Sequence, residues 1–375
     1  MRFTSTAPAS PRSVRFARAT PDDDAAIRRL LRDNPLSGSI SLSFEREPGY
    51  FAGAHLTGAS DDTILAYENA RLVCMGRCTT RAGSLDGTAR RIAYLGELRL
   101  DATAANRLAL LRGGYRFFRE RSAAAPADFT FTSISADNHR ALRLLERGLP
   151  GLPTYTFLTE FVTLVLAVPR RPLRTALATV PASPDRLDAL VSLLNDHAHR
   201  HSLAPVWTAE NLLALGRHGL PVEHFQLSFA GSRLVATAAI WDQRAFRQTV
   251  IRGYEPALAT ARPLLNLSAR LFGTPRLPPV GSTLAHAYLS PLALAADHGD
   301  ALPDFVAASL NAARARHLEF LTLGLVAPDP RLPRLVQRFR PRLYRSRLYR
   351  VTWPDDPPPA LSLGSAPLWP EVSLL

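Results

Sequence analysis

The chain has 375 residues, a net charge of +13, and a composition that is 46% apolar and 21% charged. That length suits two domains better than one core, and the apolar share is that of a globular chain, not a disordered one. The long apolar stretch "FVTLVLAV" at 161–168, broken only by Thr163, is too short to cross a bilayer as a helix, so no membrane partner is expected.

All 45 basic residues are arginine. Arginine used for every cation points to compositional bias, so much of the charge reads as ordinary surface charge, with an anionic ligand kept in view. Cys74 and Cys78 do not make a disulfide framework, and zinc would need further ligands; two reduced core thiols are expected. The opening segment has Arg, Ser and Thr but lacks the apolar core of a secretory signal, and the expected location is cytoplasmic.

In chain order, "VRFARAT" alternates like an edge strand. "TPDDDAAIRRLLRDN" reads as a helix capped by Thr20 or Asp22, with Ala26, Ile27, Leu30 and Leu31 as its apolar stripe. "SGSISLSFEREPGYFAGAHL" alternates and breaks at Pro48-Gly49. "TILAYENARLVCMGRCTTRAG" reads as two strands turning at Glu68-Asn69. A strand follows over Ile92 to Leu100, then a helix in "AANRLALLRGGYRFFRERSAA". "DFTFTSI" is a strand, "NHRALRLLERG" a helix closed by Gly148, and "YTFLTEFVTLVLAV" a long strand. The Pro-rich 169–183 reads as a linker between a first domain, 1–168, and a second, 184–353.

The second part starts again with helices in "DRLDALVSLLNDHAHRH" and "TAENLLALGRHG". A hairpin turning at Gly231 and the strand "RQTVIRGY" come next. Then come a helix "PDFVAASLNAARARH", a strand "LEFLTLGL", a helix "DPRLPRLVQRF" and a strand "RLYRSRLYRVTW". The two parts therefore share one order, which is the signature of a structural repeat. The Pro-rich tail, 354–375, is expected to lie extended on the surface. His197 and His201 stand four apart, a spacing that can hold a metal, but with no third ligand in view they read as complementing a helix end. In "RLPRLVQRFRPRLYRSRLYR", Leu332, Leu335, Val336 and Phe339 read as an inward face with Arg outward, which disfavours a nucleic-acid partner.

This order, with "RATPDDDAAIRRLL", "NPLSGSISLSFEREPGYF", "TSISADNHRALRLLERGLPGLPTY" and "AIWDQRAFRQTVIRGY", resembles tandem members of the GNAT acyltransferase superfamily. The likeness runs from about Val14 to Trp353. It implies an α/β fold of two GNAT-like domains, a mixed sheet in each. It also implies acetyl-CoA or another acyl-CoA as cofactor, and acyl transfer to a small-molecule or peptide amine. In that family an Asn opening the helix after the splayed strand, with Ala three residues on, contacts the cofactor; Asn138 and Ala141 match, and a plain helix N-cap explains Asn138 as well. The strand Glu97 to Leu100 would carry the thioester, with Leu98, Arg99 and Leu100 beside the cofactor. Glu97 is the candidate base, or a strand residue paired with Arg99. In the phosphate loop Ala105 takes the Arg/Gln position, Leu108 the first Gly and Leu110 the neighbourhood of the second, which leaves Asn106 and Arg107 as polar candidates. The usual Tyr of the following helix is missing, and Tyr94 and Tyr115 are the available substitutes.

In the second half, "SPLALAADHGDALPDFVAASL" takes the phosphate-loop position with Asp297, Asp300 and Asp304, so this domain is expected to have lost the cofactor. Ser41, Ser43, Glu45 and Arg46 are expected to border the acceptor cleft. Two other readings remain: a non-catalytic acyl-CoA or anion sensor, and an aminoacyl-tRNA-dependent transferase.

Overall fold

The computed structural model describes residues 14–36, 38–56, 60–104, 106–123, 125–272, 276–356 and 363–375, without the side chains of 270–272. The first thirteen residues, Ala105 and part of the tail lie outside them.

The first half opens with β1 (Val14–Arg18) and α1 (Asp24–Asp33). Thr20 starts the helical run: its N–H and hydroxyl both donate to Asp23, at 2.8 and 3.0 Å. Ile27, Leu30 and Leu31 then bury the helix face against Leu65, Leu72 and Met75. β2 (Ile40–Glu45), β3 (Ser60–Glu68), β4 (Arg71–Leu85) and β5 (Thr88–Leu100) follow. α2 (Arg107–Ser122), β6 (Phe129–Ser135), α3 (His139–Leu145) and β7 (Thr154–Ala167) complete this half.

The second half has β8 (Val180–Pro181), α4 (Leu187–His199), α5 (Ala209–Ala214), β9 (Phe225–Ala230), β10 (Arg233–Trp241) and β11 (Gln248–Tyr254). It continues with α6 (Pro256–Phe272), β12 (His286–Leu294), α7 (Leu302–Ala315), β13 (Phe320–Val326), α8 (Leu332–Phe339) and β14 (Arg342–Thr352). Sequence reading omits α6 and takes the segment of β12 for a loop. Pro263 and Pro291 hide these two elements. In β12 the proline costs no ladder bond, because it falls where the pairing with β10 is already broken by a register shift.

Twelve strands form one mixed sheet in the order β1-β3-β4-β5-β6-β14-β7-β13-β12-β10-β9-β8, while β2 and β11 make a separate pair. The last strands of the halves are exchanged. β14 runs antiparallel between β6 and β7, and β7 in turn pairs with β13. A parallel pair occurs once in each half, β5 with β6 and β12 with β13. In α8, Leu335 is fully buried and Leu332, Val336 and Phe339 pack on the core, so this arginine-rich stretch presents its apolar face inward.

The described part of the tail does not lie on the surface. Trp369 is only 5% exposed, and its ring meets His197 and His201 at 4.6 and 5.2 Å between centroids. Burial pushes both imidazoles below the usual histidine range; the pair seats an indole, and the His201 Nδ1 also meets the His197 carbonyl in the last turn of α4 at 2.7 Å. No cluster of three metal-ligating side chains occurs among the described residues. Cys74 and Cys78 are free and buried, and burial pushes both thiols up to about 12.

Candidate active site

The parallel ladder between β5 and β6 stops early. Pairing covers Ile92 to Leu95 against Phe129 to Thr132, yet β5 continues to Leu100 and β6 to Ser135. At the fork the Thr132 hydroxyl donates to the Leu95 carbonyl at 2.6 Å, which satisfies the last backbone acceptor before the strands part. β6 beyond the fork keeps β14 as its partner, through Ser346 opposite Ser135. On the other side, β5 bulges: its register against β4 shifts between Gly96 and Arg99, and Glu97 takes φ +52. A left-handed backbone at a non-glycine residue is strained, and bulges of this kind re-aim side chains and release ladder groups.

A cavity of about 1000 Å³ occupies this fork. One arm is apolar, bounded by Phe16, Leu65, Cys74, Leu110, Leu111 and Phe118, with Gly114 and Tyr115 on the helix side. Tyr115 and Tyr155 share a hydroxyl–hydroxyl hydrogen bond at its wall, and burial pushes the Tyr115 phenol up to about 12. The other arm is charged. Glu97 pairs with Arg46 and with Arg77 at 3.5 Å, and accepts from the Tyr50 hydroxyl at 3.1 Å. Arg77 Nε also donates to Asp61 at 2.6 Å. The supposed pairing of Glu97 with Arg99 is not made, because Arg99 donates to the Leu98 carbonyl at 3.0 Å. Burial keeps the Tyr94 hydroxyl above the ordinary phenol range, although Arg247, Arg81 and Arg99 pull it back. From the second half, His286 and Tyr288 enter the same space, and burial pushes the His286 imidazole down to about 4.

The residues expected from sequence are partly brought together here. Glu97, Leu98 and Arg99 line the cavity, as do Asn138 and Ala141, whereas Leu100 does not. Asn138 caps α3 by accepting from the Ala141 N–H at 3.1 Å, and Asn106 caps α2 in the same way at Ala109. Arg107 folds back to the Ala102 carbonyl at 2.6 Å, and Leu108 is partly buried on α2, outside the cavity. On β2, alternation divides the expected acceptor residues. Ile40, Leu42, Phe44 and Arg46 face the cavity, so Ser41, Ser43 and Glu45 are turned away from it. Ser43 and Glu45 instead bind Arg252 of β11 and tie the two halves together. Sequence reading missed Arg77, Arg81, Arg247 and His286. An arginine inside an otherwise buried strand, as in "VCMGRC" and "CTTRAG", was the available signal for the first two.

The second half has the same fork and fills it. β12 and β13 pair only from His286 to Tyr288 against Phe320 to Thr322. Into the gap comes the segment at 371–375: Glu371 accepts from the Leu292 N–H at 3.1 Å and from the Ser290 hydroxyl, while Val372 packs beside Phe161 and Val326. Asp297, Asp300 and Asp304 are paired with Arg233, Arg334 and Arg338.

Comparison with solved structures gives two informative likenesses. The Saccharomyces cerevisiae N-myristoyltransferase with bound myristoyl-CoA matches at a TM-score of 0.61 and 10% identity, over 94% of this chain and 81% of that one. A GCN5-related N-acetyltransferase from Sphaerobacter thermophilus matches at 0.54 and 14% identity, over 93% of this chain and 98% of that one. Comparison with family models gives no match, and neither does comparison with curated proteins. The architecture of this chain is therefore the α/β fold of two-domain GNAT-like acyltransferases, with one open fork and one closed by the chain itself.

Proposed function

We propose that this chain is an acyl-CoA-dependent N-acyltransferase whose working half is the first, and the observation that carries the reading is the open fork between β5 and β6. The thioester would lie along β5 with its carbonyl oxygen taken by a backbone N–H on the edge that β6 leaves open beyond Leu95. Asn138 and Ala141 would meet the pantetheine arm, and Asn106 with Arg107 at the start of α2 would face the diphosphate. The cavity suits an acyl chain longer than acetyl, since Phe16, Leu65, Leu110, Leu111 and Phe118 give it aliphatic and aromatic walls.

The chemistry is attack of an amine nitrogen on the thioester carbonyl. A carbon–nitrogen bond forms, the carbon–sulfur bond breaks, the nitrogen gives up a proton and the sulfur gains one. Glu97 is the proposed acceptor of the first proton. Tyr94, a protonated phenol at neutral pH, is the proposed donor of the second. Arg46 and Arg77 would hold Glu97 at the bulge. The test is thiol release from octanoyl-CoA with a panel of primary amines. The reading expects turnover that falls at least tenfold in Glu97→Gln and in Tyr94→Phe, with donor affinity kept.

A second reading, a non-catalytic acyl-CoA binder, is favoured by the fact that Glu97 already has Arg46, Arg77 and Tyr50 on its oxygens. Donor binding with no thiol release for any amine would select it.

A further inference from the structure

Charge in the inner cavity does not balance. Arg46 and Arg77 are answered by Glu97 and Asp61, and Arg247 by oxygens of Ser373 and the last residue, Leu375, but Arg81 and Arg99 have no carboxylate bonded to them among the described residues. Arg81 is the decisive one. It sits in β4 only 3% exposed, lines the cavity, and its Nη2 has no hydrogen-bond partner among the described residues. Arg247 reaches main-chain oxygens of Ser373 and Leu375, and its buried Nε is likewise unpartnered. An unpaired buried guanidinium is expensive, and it is kept where something outside the chain supplies the anion.

Among the described residues, Glu371 is the carboxylate that acts on Arg81. Its oxygens are already given to Ser290 and the Leu292 N–H in the second fork. Arg81, Arg99 and Arg247 line the cavity together with Tyr94, and Arg247 also lies over the Tyr288 ring, 6.0 Å from its centroid. Arg81 and Arg99 come from the first half and Arg247 from the second, so the subsite exists only where the halves meet.

We propose that Arg81, with Arg99 and Arg247 around Tyr94, forms a carboxylate-recognising subsite, so that the acceptor amine is an amino acid or a short peptide with a free carboxylate. A planar carboxylate suits guanidinium donors, which bind it through paired hydrogen bonds. The placement beside the fork puts the carboxylate close to Tyr94 and leaves the amine of the same molecule to face Glu97. This assignment of acceptor class rests on the acyltransferase reading, whereas the subsite itself does not.

Two arms separate them. In the first, the full chain without donor is titrated with the common amino acids and with their carboxamides, and thermal stabilisation is read. The acids should stabilise and the amides should not, and Arg81→Gln should abolish the difference. In the second, thiol release from octanoyl-CoA is measured with the same panel. The acids should exceed their amides at least tenfold in kcat/KM, and Arg81→Gln should reduce that ratio to about three or less. Its Kd for octanoyl-CoA should stay as in the parent.

Carboxylate-dependent stabilisation without any donor binding would keep the subsite and sink the transferase reading. Acids and amides that behave alike in the first arm, inorganic phosphate binding in preference to the acids, or a discrimination that survives Arg81→Gln, would each overturn the subsite. Arg81→Met serves as the second variant; it removes the charge at similar length and should match Arg81→Gln in both arms.

Discussion

Replacing Gly114 by leucine tests the apolar arm. Gly114 lies inside α2 and on the cavity wall, and a Cβ there would meet only Phe16 Cε1, at 3.9 Å. The neighbouring Gly113 is different, since a Cβ there would come within 2.2 Å of Phe16. A Cβ at Gly114 is therefore accommodated, and the position lines the space assigned to the acyl chain. Loss of a mid-helix glycine should leave stability equal or higher, by up to about 1 kcal/mol. An octanoyl chain has six more carbons than acetyl, and at about 0.8 kcal/mol per buried methylene its full burial is worth up to about 5 kcal/mol. A leucine in the arm displaces three or four of those carbons, or about 2–3 kcal/mol. At about 1.4 kcal/mol per decade, the octanoyl-CoA Kd should weaken by roughly 30- to 150-fold. The acetyl-CoA Kd should change little. Isothermal calorimetry with both donors reads the effect. Equal affinities for acetyl-CoA and octanoyl-CoA in the parent, or an octanoyl-CoA Kd indifferent to Gly114→Leu, would refute the placement of the chain.

Other consequences concern stability and the caps. Arg81→Met removes an unpaired buried cation and should raise unfolding free energy by about 1–3 kcal/mol in urea titration, a gain bought with lost acceptor recognition; a lower stability would show that Arg81 is structurally paired. Burial raises the Glu371 carboxyl from its ordinary value of about 4.5 to about 7. The folded state then holds the proton more tightly than the unfolded one, so stability is full below about 4.5, falls as pH rises to about 7, and is flat beyond. The drop is on the order of 3 kcal/mol. Glu371→Gln should flatten this window, and an unchanged pH profile would count against the assigned role of Glu371. Asn138→Ala removes the α3 cap and should cost about 1 kcal/mol, with weaker donor binding as the additional sign of a cofactor contact.

Much of the fold is legible in the sequence, because period-two and helical patterns mark most elements and their repeated order. What pattern cannot carry is the partner of each strand. The exchange of β7 and β14 leaves both strands looking like ordinary ends of their own halves. Proline misleads where its missing N–H is not needed, as at Pro291 in β12 and Pro263 in α6. At the site, Glu97, Arg99 and Asn138 follow from the family resemblance, and they line the cavity. Ser41, Ser43 and Glu45 share the segment that borders the cavity, but alternation along β2 turns them away from it. The tail looked like surface because its prolines break regular structure, yet Trp369 and Glu371 carry the area and hydrogen bonds that bury it. Arg81 and Arg247 are far apart in sequence and become one site only through the packing of the halves.

The most direct test of the account is the stoichiometry of octanoyl-CoA binding to the full chain by calorimetry, alongside Asn138→Ala. One open fork and one filled by residues 371–375 predict a single site per chain that weakens in the variant. No binding, or two equivalent sites, would contradict it.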